Sequence, residues 1–126
     1  MITALFTSIS LSLSLPPGLL SALCYTESKH HVNAIHLDDG GSNSIGICQL
    51  KLSTAKEYGF QGTEKELMKP ETNILIAGLY LKHQISRYNS VKKGVIAYNR
   101  GNSKHLTSTR YQRKVYQRWI SKQAIK

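Results

Sequence analysis

The chain has 126 residues, of which 40% are hydrophobic and 19% are charged. This length and composition are typical of one globular domain with a core of its own, and they exclude a disordered tail or a low-complexity polymer. The formal net charge is +10, and every charged residue after Glu71 is basic, so the C-terminal half favours polyanionic partners: nucleic acid, anionic lipid or the bacterial envelope.

The N-terminal stretch from Met1 to Leu23 is mostly apolar but is interrupted by serines, threonines and Pro16-Pro17-Gly18. Those interruptions argue against a membrane span, and the lack of any Lys or Arg argues against a cleaved secretory signal. We therefore expect neither. The apolar spacing before residue 10 favours a short first helix, whereas the Ser/Leu alternation over 10–15 fits a strand equally well.

Prolines, caps and apolar periodicity predict the remaining helices. Proline is tolerated in the first turn of a helix, and a Ser/Thr-x-x-Glu pattern satisfies free amides at a helix start. The predicted helices span about 17–28, 70–88 and 90–98, two short ones begin at the Thr54/Glu57 and Thr63/Glu66 patterns, and the last contains Tyr111, Val115, Trp119 and Ile120.

The densest cluster of turn residues lies between His36 and Ser44, and the segment from Ile45 to Leu52 is short, apolar and partly β-branched. We interpret the first as a loop and the second as a short extended segment. The sequence thus predicts a single, mainly α domain over 1–126, with about six or seven helices and one small irregular β/loop insertion.

Glu27 is the first charged residue of the chain and ends a predicted helix beside Leu23 and Cys24. A carboxyl group in such apolar surroundings has a destabilised charged form, so burial would raise its pKa. A glutamate at a helix end is more often a solvated surface residue. The neighbouring motifs favour the catalytic interpretation.

Five short motifs occur in order along the chain. They are Glu27-Ser28, Gly46-Ile47-Cys48-Gln49, Leu67 to Ile74, Gly78 to Leu81 and Ala97-Tyr98-Asn99-Arg100-Gly101. In this order they resemble the soluble lytic transglycosylase catalytic domain of the lysozyme superfamily, over about Pro16 to Trp119, and that resemblance implies a lysozyme-like α+β fold.

The resemblance implies a role for each matched residue. Glu27 is similar to the family's single catalytic acid, and Ser28 to a neighbour that orients the carboxyl or the substrate. A cleft-lining loop is implied for Gly46 and Gln49, where glycine lets the backbone approach a sugar and the amide can donate and accept. Tyr98 and Asn99 are expected to face Glu27, although Tyr98 fits a core position as well.

The two cysteines, Cys24 and Cys48, lie beside these motifs, and Cys48 stands where the family commonly has methionine. They can form at most one bridge. We favour two buried free thiols over a disulfide, because sulfur is readily buried as a small hydrophobe. No CxxC or His-rich spacing indicates a metal, and we expect no cofactor.

The resemblance implies cleavage of the β-1,4 bond between N-acetylmuramic acid and N-acetylglucosamine in peptidoglycan glycan strands. One acid suffices if the 2-acetamido oxygen of the substrate stabilises the cation at the anomeric carbon. Glu27 would protonate the glycosidic oxygen and then take the proton of the muramic 6-hydroxyl, which attacks to give a 1,6-anhydro end.

Two alternatives differ in chemistry. In a goose-type lysozyme a loop acid positions water, and Asp38 or Asp39 lies where that acid would be, although Asp-Asp-Gly-Gly is more often a turn. A non-catalytic module that binds the wall or nucleic acid would use the basic last helix, but its aromatic residues also fall at core spacing. The bases of that helix are Arg110, Arg113, Lys114 and Arg118.

The expected setting is the bacterial cell wall, reached from the periplasm or from a virion. A free-standing basic catalytic domain favours a phage enzyme over one associated with secretion or conjugation. We expect a monomer whose basic half contacts anionic envelope polymers, with nucleic acid a disfavoured partner.

Overall fold

The computed structural model describes residues 1–39, 41–101 and 106–125, with the side chains of 38, 39 and 123–125 left aside. Seven helices and a three-stranded sheet form within these ranges. In chain order they are α1 (Ile2–Ser12), α2 (Leu19–Ser28), β1 (Ile35–Asp39), β2 (Ser42–Ile45), β3 (Leu50–Lys51), α3 (Leu52–Glu57), α4 (Glu64–Leu67), α5 (Pro70–Tyr88), α6 (Val91–Arg100) and α7 (Arg110–Ile125). The mainly α prediction is confirmed.

Helix α5 is central to the core, and its predicted bounds are confirmed at both ends. Pro70 occupies the first turn, where a missing amide costs no hydrogen bond, and Ile74, Ala77 and Leu81 are fully buried. Glycine allows α6 to pack closely on α5, because a Cβ at Gly94 would lie 2.5 Å from a side-chain carbon of Ile85. The predicted Ser90 cap is also present, with the Lys93 amide donating to its hydroxyl at 3.1 Å.

The predicted loop between His36 and Ser44 is wrong, because this segment forms an antiparallel hairpin. β1 pairs with β2 in a register that places Ile35 opposite Ile45, and β2 pairs with β3. The turn residues that suggested a loop lie around the reversal between the two strands. Both strands are short, and the Asp, Gly, Ser and Asn residues within and between them have the composition of a loop, so composition alone could not identify the hairpin.

One of the two predicted capping boxes forms. The Glu66 amide donates to the Thr63 hydroxyl at 3.2 Å, and the Thr63 amide donates to the Glu66 carboxylate at 2.9 Å. The box at Thr54 does not form, because α3 begins earlier, at Leu52, with Lys51 as its extended N-cap. The first segment is helical, so the strand alternative over 10–15 is also excluded.

The preference for two free thiols is wrong. Cys24 in α2 and Cys48 after β2 form a disulfide, with Cα atoms 4.4 Å apart and both side chains fully buried. In the sequence both cysteines lie near the motifs at Glu27 and Gln49, but only the packing of α2 against the segment after β2 brings the two sulfurs together.

Helix α7 runs antiparallel to α2 and makes hydrogen bonds near both ends of α2. The Trp119 indole donates to the Pro17 carbonyl at 2.8 Å, before the start of α2, and Tyr111 contacts Glu27 near its end. Between them, the Arg118 guanidinium lies 3.6 Å from the centre of the Tyr25 ring, a cation–π contact. No helix within the described ranges is long and apolar enough to cross a membrane.

Candidate active site

Glu27 lies in the last turn of α2, partly buried, and its carboxylate accepts a hydrogen bond from the Tyr111 hydroxyl at 2.7 Å between Oη and Oε2. The two residues are 84 positions apart in the chain, and the antiparallel packing of α2 and α7 brings them together. A hydrogen bond to a charged acceptor is stronger than one between neutral groups, so this contact fixes the orientation of the carboxyl.

A cavity of about 320 Å³ opens beside Glu27. Four of the site residues predicted from the sequence line it, namely Glu27, Gln49, Tyr98 and Asn99. Tyr80 of α5 lines it as well, with its ring centre 4.9 Å from that of Tyr98. The structure thus gathers residues from α2, the segment after β2, and α6 around one space.

Ser28 and Gly46 lie behind this cavity rather than in its lining. The Ser28 hydroxyl donates to the Ile47 carbonyl at 2.7 Å, which ties the end of α2 to the segment after β2. Gly46 has φ +82°, and a Cβ there would lie 2.5 Å from the Asn73 amide nitrogen. The glycine is therefore required by the turn and by the close approach of Asn73.

Asn73, fully buried in α5, holds the segment 45–49 in place. Its Oδ1 accepts from the Cys48 amide at 2.8 Å, and its Nδ2 donates to the carbonyls of Ile45 and Leu67, both at 2.9 Å. A buried amide that satisfies three backbone groups in this way is costly to replace. The asparagine lies in the motif from Leu67 to Ile74, but its contacts with the segment 45–49 depend on the fold and not on that motif.

Gln49 and Tyr98 combine a cavity-facing position with structural hydrogen bonds. The Gln49 side-chain amide donates to the carbonyls of Gly46 at 2.9 Å and Ala34 at 3.1 Å, and the residue adopts φ +54°. Tyr98 is only 7% exposed, and its hydroxyl donates to the Cys48 carbonyl at 2.9 Å. Cys48 is thus held by a disulfide, by Asn73 and by Tyr98.

Burial and then the nearby Glu27 carboxylate raise the pKa of the Tyr111 phenol well above its usual value of 10.0. The same two causes raise the pKa of Tyr98 well above that value. Tyr111 therefore stays protonated, and able to donate to Glu27, at every pH at which a carboxyl group titrates.

Tyr111 is a site residue that the sequence pattern does not indicate. Its spacing to Val115 is that of a buried helix face, so the pattern predicts a core aromatic of the last helix. No local pattern distinguishes a core tyrosine from one that points at a carboxyl group on another helix. Only the pairing of α2 with α7 does so.

A loop aspartate that positions water, or a bound metal ion, would each change the chemistry of this site. Asp38 and Asp39 end β1, and their side chains lie outside the described part of the structure. Among the described residues no group of three or more His, Cys, Asp or Glu side chains could hold a metal ion.

The chain is similar to known proteins in both sequence and fold. The model of the family described as "Transglycosylase SLT domain" matches residues 5–120. The chain belongs to this family. By that membership it is an enzyme of the peptidoglycan lytic transglycosylase class, acting on the cell wall.

Two relatives illustrate the match. Protein IpgF from Shigella flexneri is 26% identical over 111 residues, which cover 85% of this chain and 73% of IpgF. An inactive mutant of lytic transglycosylase Slt from Pseudomonas aeruginosa has a similar fold, with a TM-score of 0.76 and 21% identity. That similarity covers 97% of this chain but only 24% of Slt. The chain therefore matches one part of Slt, which is much longer than this chain.

Proposed function

We propose that this SLT domain cleaves the β-1,4 bond between N-acetylmuramic acid and N-acetylglucosamine and leaves a 1,6-anhydromuramic end. The observation that carries the proposal is the Glu27–Tyr111 pair at the edge of the 320 Å³ cavity. Among the described residues that line this cavity, Glu27 is the sole carboxyl group. A mechanism that needs one acid fits such a site better than one that needs two.

In the first step Glu27 acts as a general acid and donates its proton to the glycosidic oxygen. The bond from this oxygen to the anomeric carbon breaks, and the N-acetylglucosamine side leaves with a free hydroxyl. Positive charge then develops at the anomeric carbon of the muramic residue, and the oxygen of that residue's own 2-acetamido group stabilises it. The substrate thus supplies the group that a second carboxylate provides in most glycosidases.

In the second step the Glu27 carboxylate takes the proton from the muramic 6-hydroxyl, and the 6-oxygen bonds to the anomeric carbon. Water is not consumed. Tyr111 donates to one carboxylate oxygen, which stabilises the charged form produced by the first step and holds the group at a fixed angle for the second. Its raised pKa keeps that donor in place throughout.

The other lining residues fit a glycan substrate. Tyr80 and Tyr98 offer ring surfaces, and Asn99 offers an amide that can both donate and accept. Lys51 and Arg100 also line the cavity, so its charged lining comprises two cations and one carboxyl. Such a lining suits a substrate that bears carboxylates, as peptide-substituted muramic acid does.

Beyond the cleft, we propose that the basic residues of α7 attract anionic envelope polymers and that the domain works as a monomer at the wall. Delivery from a virion remains our preferred setting, with the periplasm as the alternative. The net charge of +10 supports a long-range attraction of this kind.

Replacing Glu27 with Gln tests the proposal. The amide keeps the volume and can accept from Tyr111 but can neither give nor take the proton, so lysis of purified walls should fall at least about a hundredfold. Glu57→Gln, at the exposed end of α3, is the matched control and should keep full activity. If the folded Glu27 variant keeps more than a tenth of the activity, Glu27 is not the acid.

A further inference from the structure

A second cavity, of about 450 Å³, lies between α1, α2 and α7 and shares no lining residue with the catalytic cavity. More of its lining surface is apolar than polar. Phe6, Leu11, Leu15 and Ala22 belong to the lining, together with hydroxyl side chains of α1 and α2. Leu11 is 73% exposed although it is a large aliphatic residue, so the rim of the cavity presents apolar surface to water. The volume is within the usual range of small-molecule sites.

Three basic side chains line the same cavity: His30, Arg118 and Lys122. Arg118 is held by its contact with the Tyr25 ring, and His30 by donation from its Nε2 to the Ser21 carbonyl at 2.8 Å. The described lining contains no carboxyl group. The cavity therefore combines an apolar interior with positive charge, and no acid of its own lining offsets that charge.

The two cations of the cavity act on His30. Burial lowers the pKa of His30 below 6.5, the hydrogen bond to the Ser21 carbonyl opposes this, and the charges of Arg118 and Lys122 lower the pKa further. The Phe6 ring, centred 5.1 Å from the imidazole, forms part of the apolar wall. An anion beside Arg118 and Lys122 would offset their repulsion of a protonated His30, whereas an uncharged ligand would leave that repulsion unchanged.

We propose that this cavity binds an anionic amphiphile, with one acyl chain against Phe6, Leu11 and Leu15 and a carboxylate or phosphate head at Arg118 and Lys122. Apolar burial favours the chain, at about 25 cal/mol per Å² removed from water. The guanidinium favours an oxyanion head through charge-assisted hydrogen bonds. A small inorganic anion would use only the charges, and a neutral hydrocarbon only the walls, so neither matches the whole cavity. The site is independent of Glu27 and of the proposed reaction.

Calorimetric titration of the full chain tests the proposal with three probes used below their aggregation limits: decanoate, decanol and butyrate. Decanoate should bind at least tenfold more tightly than either of the others. In parallel, the imidazole signal of His30 should be followed by NMR against pH. Bound decanoate should raise the His30 pKa, since the carboxylate offsets the two cations, whereas decanol should not.

Variants test the basic side chains and the apolar part of the cavity separately. Lys122→Gln, and separately Arg118→Gln/Lys122→Gln, should weaken decanoate at least tenfold and leave decanol unchanged. Thr7→Trp, an exposed position of α1 that lines the cavity, should block both probes by filling the opening. Lys92→Gln/Lys93→Gln, exposed on α6 and outside the lining, is the charge-matched control and should bind like the unmodified chain.

Three results would overturn the proposal: butyrate binding as tightly as decanoate, decanoate binding unchanged in the Lys122 and double variants, or a His30 pKa that does not rise. If decanoate binds as expected, vesicles separate the sources of the ligand. Retention on phosphatidylglycerol but not on phosphatidylcholine vesicles supports a membrane lipid, and retention on neither supports a free fatty acid.

Discussion

Reduction of the Cys24–Cys48 bridge should destabilise the domain strongly while sparing the active site at low temperature. The bridge joins α2 to the segment that follows β2, and its removal frees the unfolded chain from a closed loop. Adding two hydrogens removes no side-chain carbon, so a comparison of oxidised and reduced chains isolates the cross-link itself.

The size of the effect follows from the loop. The cysteines are 24 positions apart. The chain-entropy account gives about 3.5 kcal/mol for a loop of this size. With an unfolding entropy of about 2.1 cal/mol/K per residue near 60 °C, a 126-residue domain loses roughly 13 °C in Tm.

The active-site geometry should survive well below the lower Tm, because other contacts also hold the segment. The Cys48 amide donates to Asn73, its carbonyl accepts from Tyr98, and Ser28 donates to the Ile47 carbonyl. We therefore expect the reduced chain to keep at least half of its wall-lysis rate at 20 °C and to lose it at a temperature at which the oxidised chain is still active.

Melting curves by circular dichroism measure the difference in Tm directly. One sample is kept oxidised, and the other is fully reduced in denaturant and then refolded. Alkylation checks the number of free thiols in each sample. Cys24→Ala/Cys48→Ala serves as the control, since reductant should not change its Tm. A fully reduced chain that melts within about 3 °C of the oxidised one would refute the account of the bridge as a structural cross-link.

Three further predictions concern the site and the charge. Tyr111→Phe removes one charge-assisted hydrogen bond, worth about 1.5–3 kcal/mol, and should lower kcat roughly ten- to a hundredfold on soluble glycan fragments with little change in KM. Asp38→Asn and Asp39→Asn should each keep most of the lysis rate, because no water needs to be positioned; loss of activity together with non-anhydro products would favour a hydrolase. Raising salt from 0.1 to 1 M shortens the screening length from about 10 to about 3 Å, so lysis of intact walls should fall steeply while cleavage of a neutral fragment falls little. Replacing four bases of α7 with Gln should flatten that salt dependence; these bases are Arg110, Arg113, Lys114 and Arg118. If the folded quadruple variant is inactive on the neutral fragment, the bases of α7 form part of the cleft.

The elements that can be predicted from the sequence are those whose caps and apolar pattern lie within a short stretch of the chain. α5 carries a proline start and a full apolar stripe, and the Thr63–Glu66 box is made by residues three positions apart, so both could be predicted without the fold. The hairpin between Ile35 and Ile45 could not, since its two strands are short and are rich in Asp, Ser and Asn, which are also common in loops.

The candidate site divides in the same way. Glu27 and Gln49 could be found because they belong to short motifs that resemble a family. The contact of Tyr111 with Glu27 and the formation of the Cys24–Cys48 bridge depend on which elements pack together across the fold, and no spacing along the chain encodes that. Gly46 also belongs to such a motif, and the fold adds a reason for the glycine that the motif did not show, namely its close approach to Asn73.

The central claim is that Glu27 serves as both acid and base while the substrate supplies the attacking oxygen. Digestion of purified glycan strands in ¹⁸O-labelled water, followed by mass spectrometry, tests it most directly. Anhydro ends lack one water relative to reducing ends, so the account predicts products that are lighter by one water and free of label. Reducing ends that carry ¹⁸O in the first products would show that water attacks, and would contradict the transglycosylase mechanism.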